Sequence, residues 1–125
     1  MKIAVIFDTY IGGGGGYFQS ICTSKLLKSI DNEENDIKFI SLIKGSDVEL
    51  KKSKVSILEF KNQRISKLFY LLEKSPIINT FLDKFGFKNP FSSFIKKNKF
   101  DIVFFLGPSL YINFLKDTNF VVNLY

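Results

Sequence analysis

The sequence predicts an α/β fold: a Rossmann-like parallel sheet with helices on both faces. Three observations lead there. An apolar, β-branched run, Lys2 to Asp8 (KIAVIFD), opens the chain, and such unbroken runs fill strands that are covered on both faces. A glycine-rich loop follows at once, and an amphipathic helical pattern follows the loop. Further short apolar runs then recur around helical patterns, as in successive βαβ units.

Each element can be justified in turn. Thr9 to Gly16 is the loop. Tyr17 to Ile30 is the first helix, with Phe18, Ile21, Cys22, Leu26 and Ile30 at three- and four-residue spacings as its core stripe and Lys25 and Lys28 elsewhere on its surface. On that stripe Cys22 is expected to be a small buried thiol without chemistry. Asp31 to Asp36 is a polar turn, Ile37 to Leu42 a second strand, and Val55 to Phe60 a third after the polar segment Lys44 to Lys54. Asn62 to Asn98 is helical in pattern, and Pro76 and the stretch Gly86 to Pro90 divide it into two or three helices. Ile65, Leu68, Phe69 and Leu72 form one stripe there; Ile77, Ile78, Phe81, Leu82 and Phe85 form another. Asp101 to Leu106 is a fourth strand ended by Gly107-Pro108, Ser109 to Lys116 a short helical turn with a serine near its start, and Phe120 to Tyr125 a fifth strand.

Composition narrows the function. A length of 125 residues suits one domain, and 46% hydrophobic residues suffice for a packed core. The longest apolar runs, such as Ile102 to Leu106, fall far short of the roughly 20 residues of a membrane-spanning helix. The first strand is too short for a signal peptide and no small-residue cleavage site follows it, so a cytoplasmic location is expected. One cysteine rules out an internal disulfide framework. With no histidine in the sequence, the usual metal ligand and general base are absent and no metal is expected.

The net charge of +6 is unevenly spread. Lys61 to Lys99 holds nine basic and two acidic residues (+7), whereas the remainder holds nine and ten (−1). Only Arg64 among the 18 basic residues is arginine, which with the abundant Ile, Asn and Phe reads as codon bias in an AT-rich genome. Proteins that grip phosphates bidentately or read bases favour arginine, so no nucleic-acid partner is expected.

Gly12, Gly13, Gly14, Gly15 and Gly16 sit between a buried strand and a helix, where backbone N–H groups and the helix dipole converge. Such a loop suits a phosphate-bearing ligand; its plainer use is a tight turn that packs helix on strand. The dinucleotide fingerprint and the P-loop both need a second glycine five positions after the first, and here Tyr17 and Phe18 occupy those places. No acidic residue for a ribose stands after Leu42, which disfavours a nicotinamide or flavin oxidoreductase. Asp8, Gly107 and Ser109 end strands on the same edge of the sheet and are candidates to line the same crevice. Asp8 also fits an ordinary turn carboxylate, and Gly-Pro an ordinary strand terminator.

The opening MKIAVIFDTYIGGGGGYFQS resembles that of the family 4 glycosyltransferases with the GT-B fold, and FDIVFFLGPS and FVVNLY resemble that family's fourth and fifth strands. The resemblance implies the N-terminal half of a GT-B architecture, residues 1–125 forming one incomplete Rossmann-like domain. It implies a retaining, metal-independent transfer of a sugar from a nucleotide-sugar donor to a glycan or lipid-linked acceptor, with the glycine loop beside the donor diphosphate. No other cofactor is expected either, the nucleotide sugar being a substrate. The family's donor-gripping basic residues and its two-glutamate motif belong to a C-terminal domain, so this chain alone is expected to be inactive. Tyr125 falls at or next to the place where the family often carries a histidine, and is a further candidate to line the crevice; no catalytic residue is assigned. The alternative is a non-catalytic nucleotide- or phosphate-binding module. Lys61 to Lys99 combines its charge with Phe69, Tyr70, Phe81, Phe85, Phe87, Phe91 and Phe94. It suits either peripheral contact with the inner face of a membrane or a helical layer with aromatic core and solvated lysines.

Overall fold

The computed structural model describes residues 1–9, 14–43, 45, 48–52 and 55–123. In chain order the elements are β1 (Lys2–Phe7), α1 (Gly15–Ser29), β2 (Asp36–Ser41), α2 (Val48–Lys52), β3 (Ile57–Glu59), α3 (Gln63–Glu73), α4 (Pro76–Lys84), α5 (Pro90–Lys97), β4 (Ile102–Phe105), a 3₁₀ helix (Leu110–Phe114) and β5 (Asn119–Val122). The five strands form one sheet of order β3-β2-β1-β4-β5, parallel throughout. This is the expected α/β, Rossmann-like architecture.

Alternation along β1 builds the core on both faces. Ala4 and Ile6 face a layer containing Phe91 and Ile95 of α5 and Tyr111 and Phe114 of the 3₁₀ helix. Val5 and Phe7 face Tyr17 and Ile21 of α1 and Leu50 of α2. All four β1 residues have no exposed surface, so each contributes close to the full burial energy of its side chain, about 1.5–3 kcal/mol for the larger ones.

Local signals fix several boundaries. Asn89 caps α5 by accepting from the Phe91 N–H at 3.0 Å, and Pro90 takes the first helical position, where no N–H is needed. The Asn89 amide also donates to the Ser66 carbonyl at 3.0 Å, which ties the start of α5 to α3. Pro76 likewise takes the first position of α4, but there the N-cap residue, Ser75, makes no side-chain cap hydrogen bond among the described residues.

The structure departs from the sequence reading at identifiable places. β3 keeps only three of the six expected residues, and α2 occupies the segment read as polar connection. α1 starts at Gly15, so Gly15 and Gly16 belong to its first turn and not to the loop. Its buried face is Tyr17, Ser20, Ile21 and Ser24, a stripe rotated away from the one expected. Two serines allow a close approach to the sheet, and the Ser24 hydroxyl is satisfied by donating to the Ser20 carbonyl at 2.8 Å. Phe18, Leu26 and Ile30 are consequently exposed, and so is Cys22, which corrects its assignment as a buried thiol. The three helices between Asn62 and Asn98 form as expected, but the residues of their stripes do not all face the core. Ser66 is the buried residue of α3, α4 has none, and Ile65, Leu68, Leu72, Ile77, Ile78, Phe81 and Phe85 are exposed. Among the described residues no helix is long and apolar enough to cross a membrane.

Candidate functional site

In this sheet the first connections run outward from β1 through β2 to β3, and the chain then crosses back to β4 on the other side of β1. Ligand crevices of open α/β sheets form at such a reversal, beyond the C-terminal ends of the two strands. Asp8 follows β1 there, and Ser109 follows β4. The two meet: the Ser109 hydroxyl donates to the Asp8 carboxylate. Ser109 also accepts from the Tyr111 N–H at 3.2 Å as cap of the 3₁₀ helix, so one side chain fixes both the turn and the carboxylate.

Electrostatics around this pair are uneven. Burial pushes the Asp8 carboxyl above the usual aspartate range, while the Ser109 hydrogen bond and the Lys67 ammonium pull in the opposite direction. Tyr111 lies in the same cluster, with its phenol pushed up to about 12 by burial and by the negative charge of Asp8. The Lys67 ammonium sits 5.8 Å from the centre of the Tyr111 ring, close enough for a cation–π contact. The Tyr111 hydroxyl and the Thr9 hydroxyl are both buried and have no hydrogen-bond partner among the described residues. Buried hydroxyls without a partner are costly to fold around, and among the described residues the Ser66 hydroxyl of α3 is a third.

The N-terminus of α1 completes this end of the sheet. The Tyr17 ring packs edge-on to Phe7 with centroids 5.8 Å apart, which seats the first turn of α1 on the end of β1. Gly14 is the N-cap residue and has φ 59° and ψ −129°, a conformation reserved for glycine. Among the described residues no side chain caps the helix, and no acidic residue stands in its first turn. A Cβ added at Gly14 or Gly15 would meet nothing within 4 Å. Among the described residues, close packing of helix on strand is therefore not what excludes side chains at these two positions beside the positive end of the helix dipole.

Of the residues singled out in the sequence, Asp8 and Ser109 come together by a direct bond, Gly107 follows β4 two residues before Ser109, and Gly14, Gly15 and Gly16 open α1. Gly12, Gly13 and Tyr125 lie outside the described residues. Lys67, Tyr111 and Thr9 were not foreseen. Lys67 arrives from α3, with no local motif to announce it, and places an ammonium group by Asp8 and the Tyr111 ring. An open groove of about 790 Å³ lies to one side, at the ends of β2 and β3, and includes Ser41, Glu59, Lys61, Arg64 and Ile65 but neither Asp8 nor Ser109. It carries exposed charges and, among the described residues, no orphaned buried polar group, whereas the Asp8 cluster has two. Among the described residues no three His, Cys, Asp or Glu side chains gather as a metal site. Comparison with protein-family models, curated proteins and solved structures gives no match for this chain.

Proposed function

We propose that this chain is the acceptor-side, N-terminal part of a retaining glycosyltransferase that moves a sugar from a nucleotide-sugar donor to a glycan or lipid-linked acceptor on the cytoplasmic side. The observation that carries the reading is the uncapped, glycine-opened N-terminus of α1 at the sheet reversal, with the Asp8–Ser109 pair and Lys67 at the same edge. Backbone N–H groups and the helix dipole suit the donor diphosphate, and Lys67 offsets part of the negative charge that develops as the nucleotide leaves. The hydroxyls of Thr9, Ser109 and Tyr111 suit the hydroxyl groups of a sugar.

On this reading a second Rossmann-like domain supplies the remaining donor contacts. The 125-residue chain should bind nucleoside diphosphate and transfer no sugar, and a chain extended by such a domain should transfer. Assay of both forms with labelled nucleotide sugars tests this. Transfer by the short chain, in a preparation free of other enzymes, would place the whole active site within these residues and refute the two-domain reading. The second reading, a non-catalytic phosphate-binding module, is favoured by one observation: Asp8, the site's only carboxylate among the described residues, already accepts the Ser109 hydroxyl. Diphosphate binding with no transfer by any extended chain would decide for it.

A further inference from the structure

α3 faces the protein with Ser66 and turns Ile65, Leu68, Leu71 and Leu72 outward. α4, which packs on α3, buries no residue; Ile77 is 84% exposed, and Phe81 and Phe85 stack on each other in the open with centroids 4.5 Å apart. The more apolar side of this helix pair is thus its outer side, the reverse of what a solvent-facing layer requires. Two short amphipathic helices with outward apolar faces have the form of elements that lie in an interface plane, and neither has the length to span one.

The charges around the face identify what it meets. Apart from Lys67, which turns to the Tyr111 ring, residues 63–88 contain four basic side chains, Arg64, Lys74, Lys84 and Lys88, and two acidic ones. Arg64 shares the outer side of α3 with Leu68 and Leu71, four and seven residues on; Lys84 shares a side of α4 with Ile77 and Phe81, seven and three residues back. Of the two acids, Glu73 is paired with Lys116 at 3.0 Å. A second copy of this chain would bring like charges together across such a face. An anionic lipid surface would complement them, with the apolar residues entering the acyl boundary and the cations meeting the headgroups. The face is also continuous with the large groove, since Arg64 and Ile65 belong to both. We propose that the outer α3–α4 face docks this protein on anionic lipid bilayers, an inference that does not depend on the glycosyltransferase reading.

The test is flotation of the full chain with vesicles of phosphatidylcholine alone and of equal parts phosphatidylcholine and phosphatidylglycerol. The chain should float with the mixed vesicles, several-fold less with the neutral ones, and less as salt rises. Charge reversal in Arg64→Glu with Lys84→Glu should lower binding on the order of tenfold. The pair Ile77→Asp with Phe81→Asp should abolish it, with circular dichroism unchanged because neither side chain is buried. Equal binding to both vesicles, no binding, or binding that survives the substitutions would overturn the proposal. So would a dimer, measured by sedimentation equilibrium, that those substitutions dissociate in the absence of lipid binding.

Discussion

An alanine at Gly15 places a methyl group in the first turn of α1 where no described residue lies within 4 Å, so Gly15→Ala should stabilise the fold by about 0.5–1 kcal/mol. The same methyl group stands where a diphosphate would approach, so the variant should bind nucleoside diphosphate less tightly. Gly14→Ala differs: its φ of 59° forces strain, and the expected loss is ~1–3 kcal/mol. Paired denaturation and calorimetric titration separate the two effects. Tyr111→Phe removes an orphaned buried hydroxyl and should leave stability equal or raise it by about 1 kcal/mol while weakening ligand binding; a clear loss of stability would show that the hydroxyl has a structural partner. Asp8 has a definite sign. Its carboxyl titrates higher folded than unfolded, so its contribution favours folding below the usual aspartate range and is lost as pH rises through the raised value. Asp8→Asn should therefore stabilise the protein at neutral pH relative to the parent, with the difference vanishing in acid. A difference that does not depend on pH would contradict the burial account.

The contrast between helices makes a prediction at the scale of elements. Ile95 of α5 is fully buried, and Ile95→Ala should cost about 2–5 kcal/mol, whereas Leu68→Ala on the outer side of α3 should change stability by no more than about 0.5 kcal/mol. Urea denaturation midpoints measure both. Periodicity in the sequence located α3, α4 and α5 correctly because Pro76 and Pro90 punctuate them. It did not reveal which apolar faces are covered, since spacing defines a face and only the fold supplies its neighbour. In α1 the core stripe contains Ser20 and Ser24, which no hydrophobic pattern would select over Phe18 and Leu26. Five-residue α2 is shorter than the window of about 11–18 residues over which helical periodicity is read.

For the whole molecule, the parallel order β3-β2-β1-β4-β5 brings Asp8 and Ser109, 101 residues apart in sequence, into hydrogen-bond contact. Apolar strands and a glycine run made the sheet and the first βα turn legible, and the rule that ligands gather beyond strand ends pointed to Asp8 and Ser109 from sequence alone. Lys67 was not legible, because its place beside Asp8 depends on how the connection from β3 to β4 folds over the sheet edge. The central claim is that this edge binds a phosphate-bearing ligand. The most direct measurement is a titration of the ¹⁵N-labelled chain with uridine diphosphate, followed by amide chemical shifts. The account predicts saturable shifts at Gly14, Gly15, Lys67 and Ser109, with little change at Glu59 and Lys61. Shifts confined to the groove around Glu59, Lys61 and Arg64, or no saturable shifts at all, would contradict it.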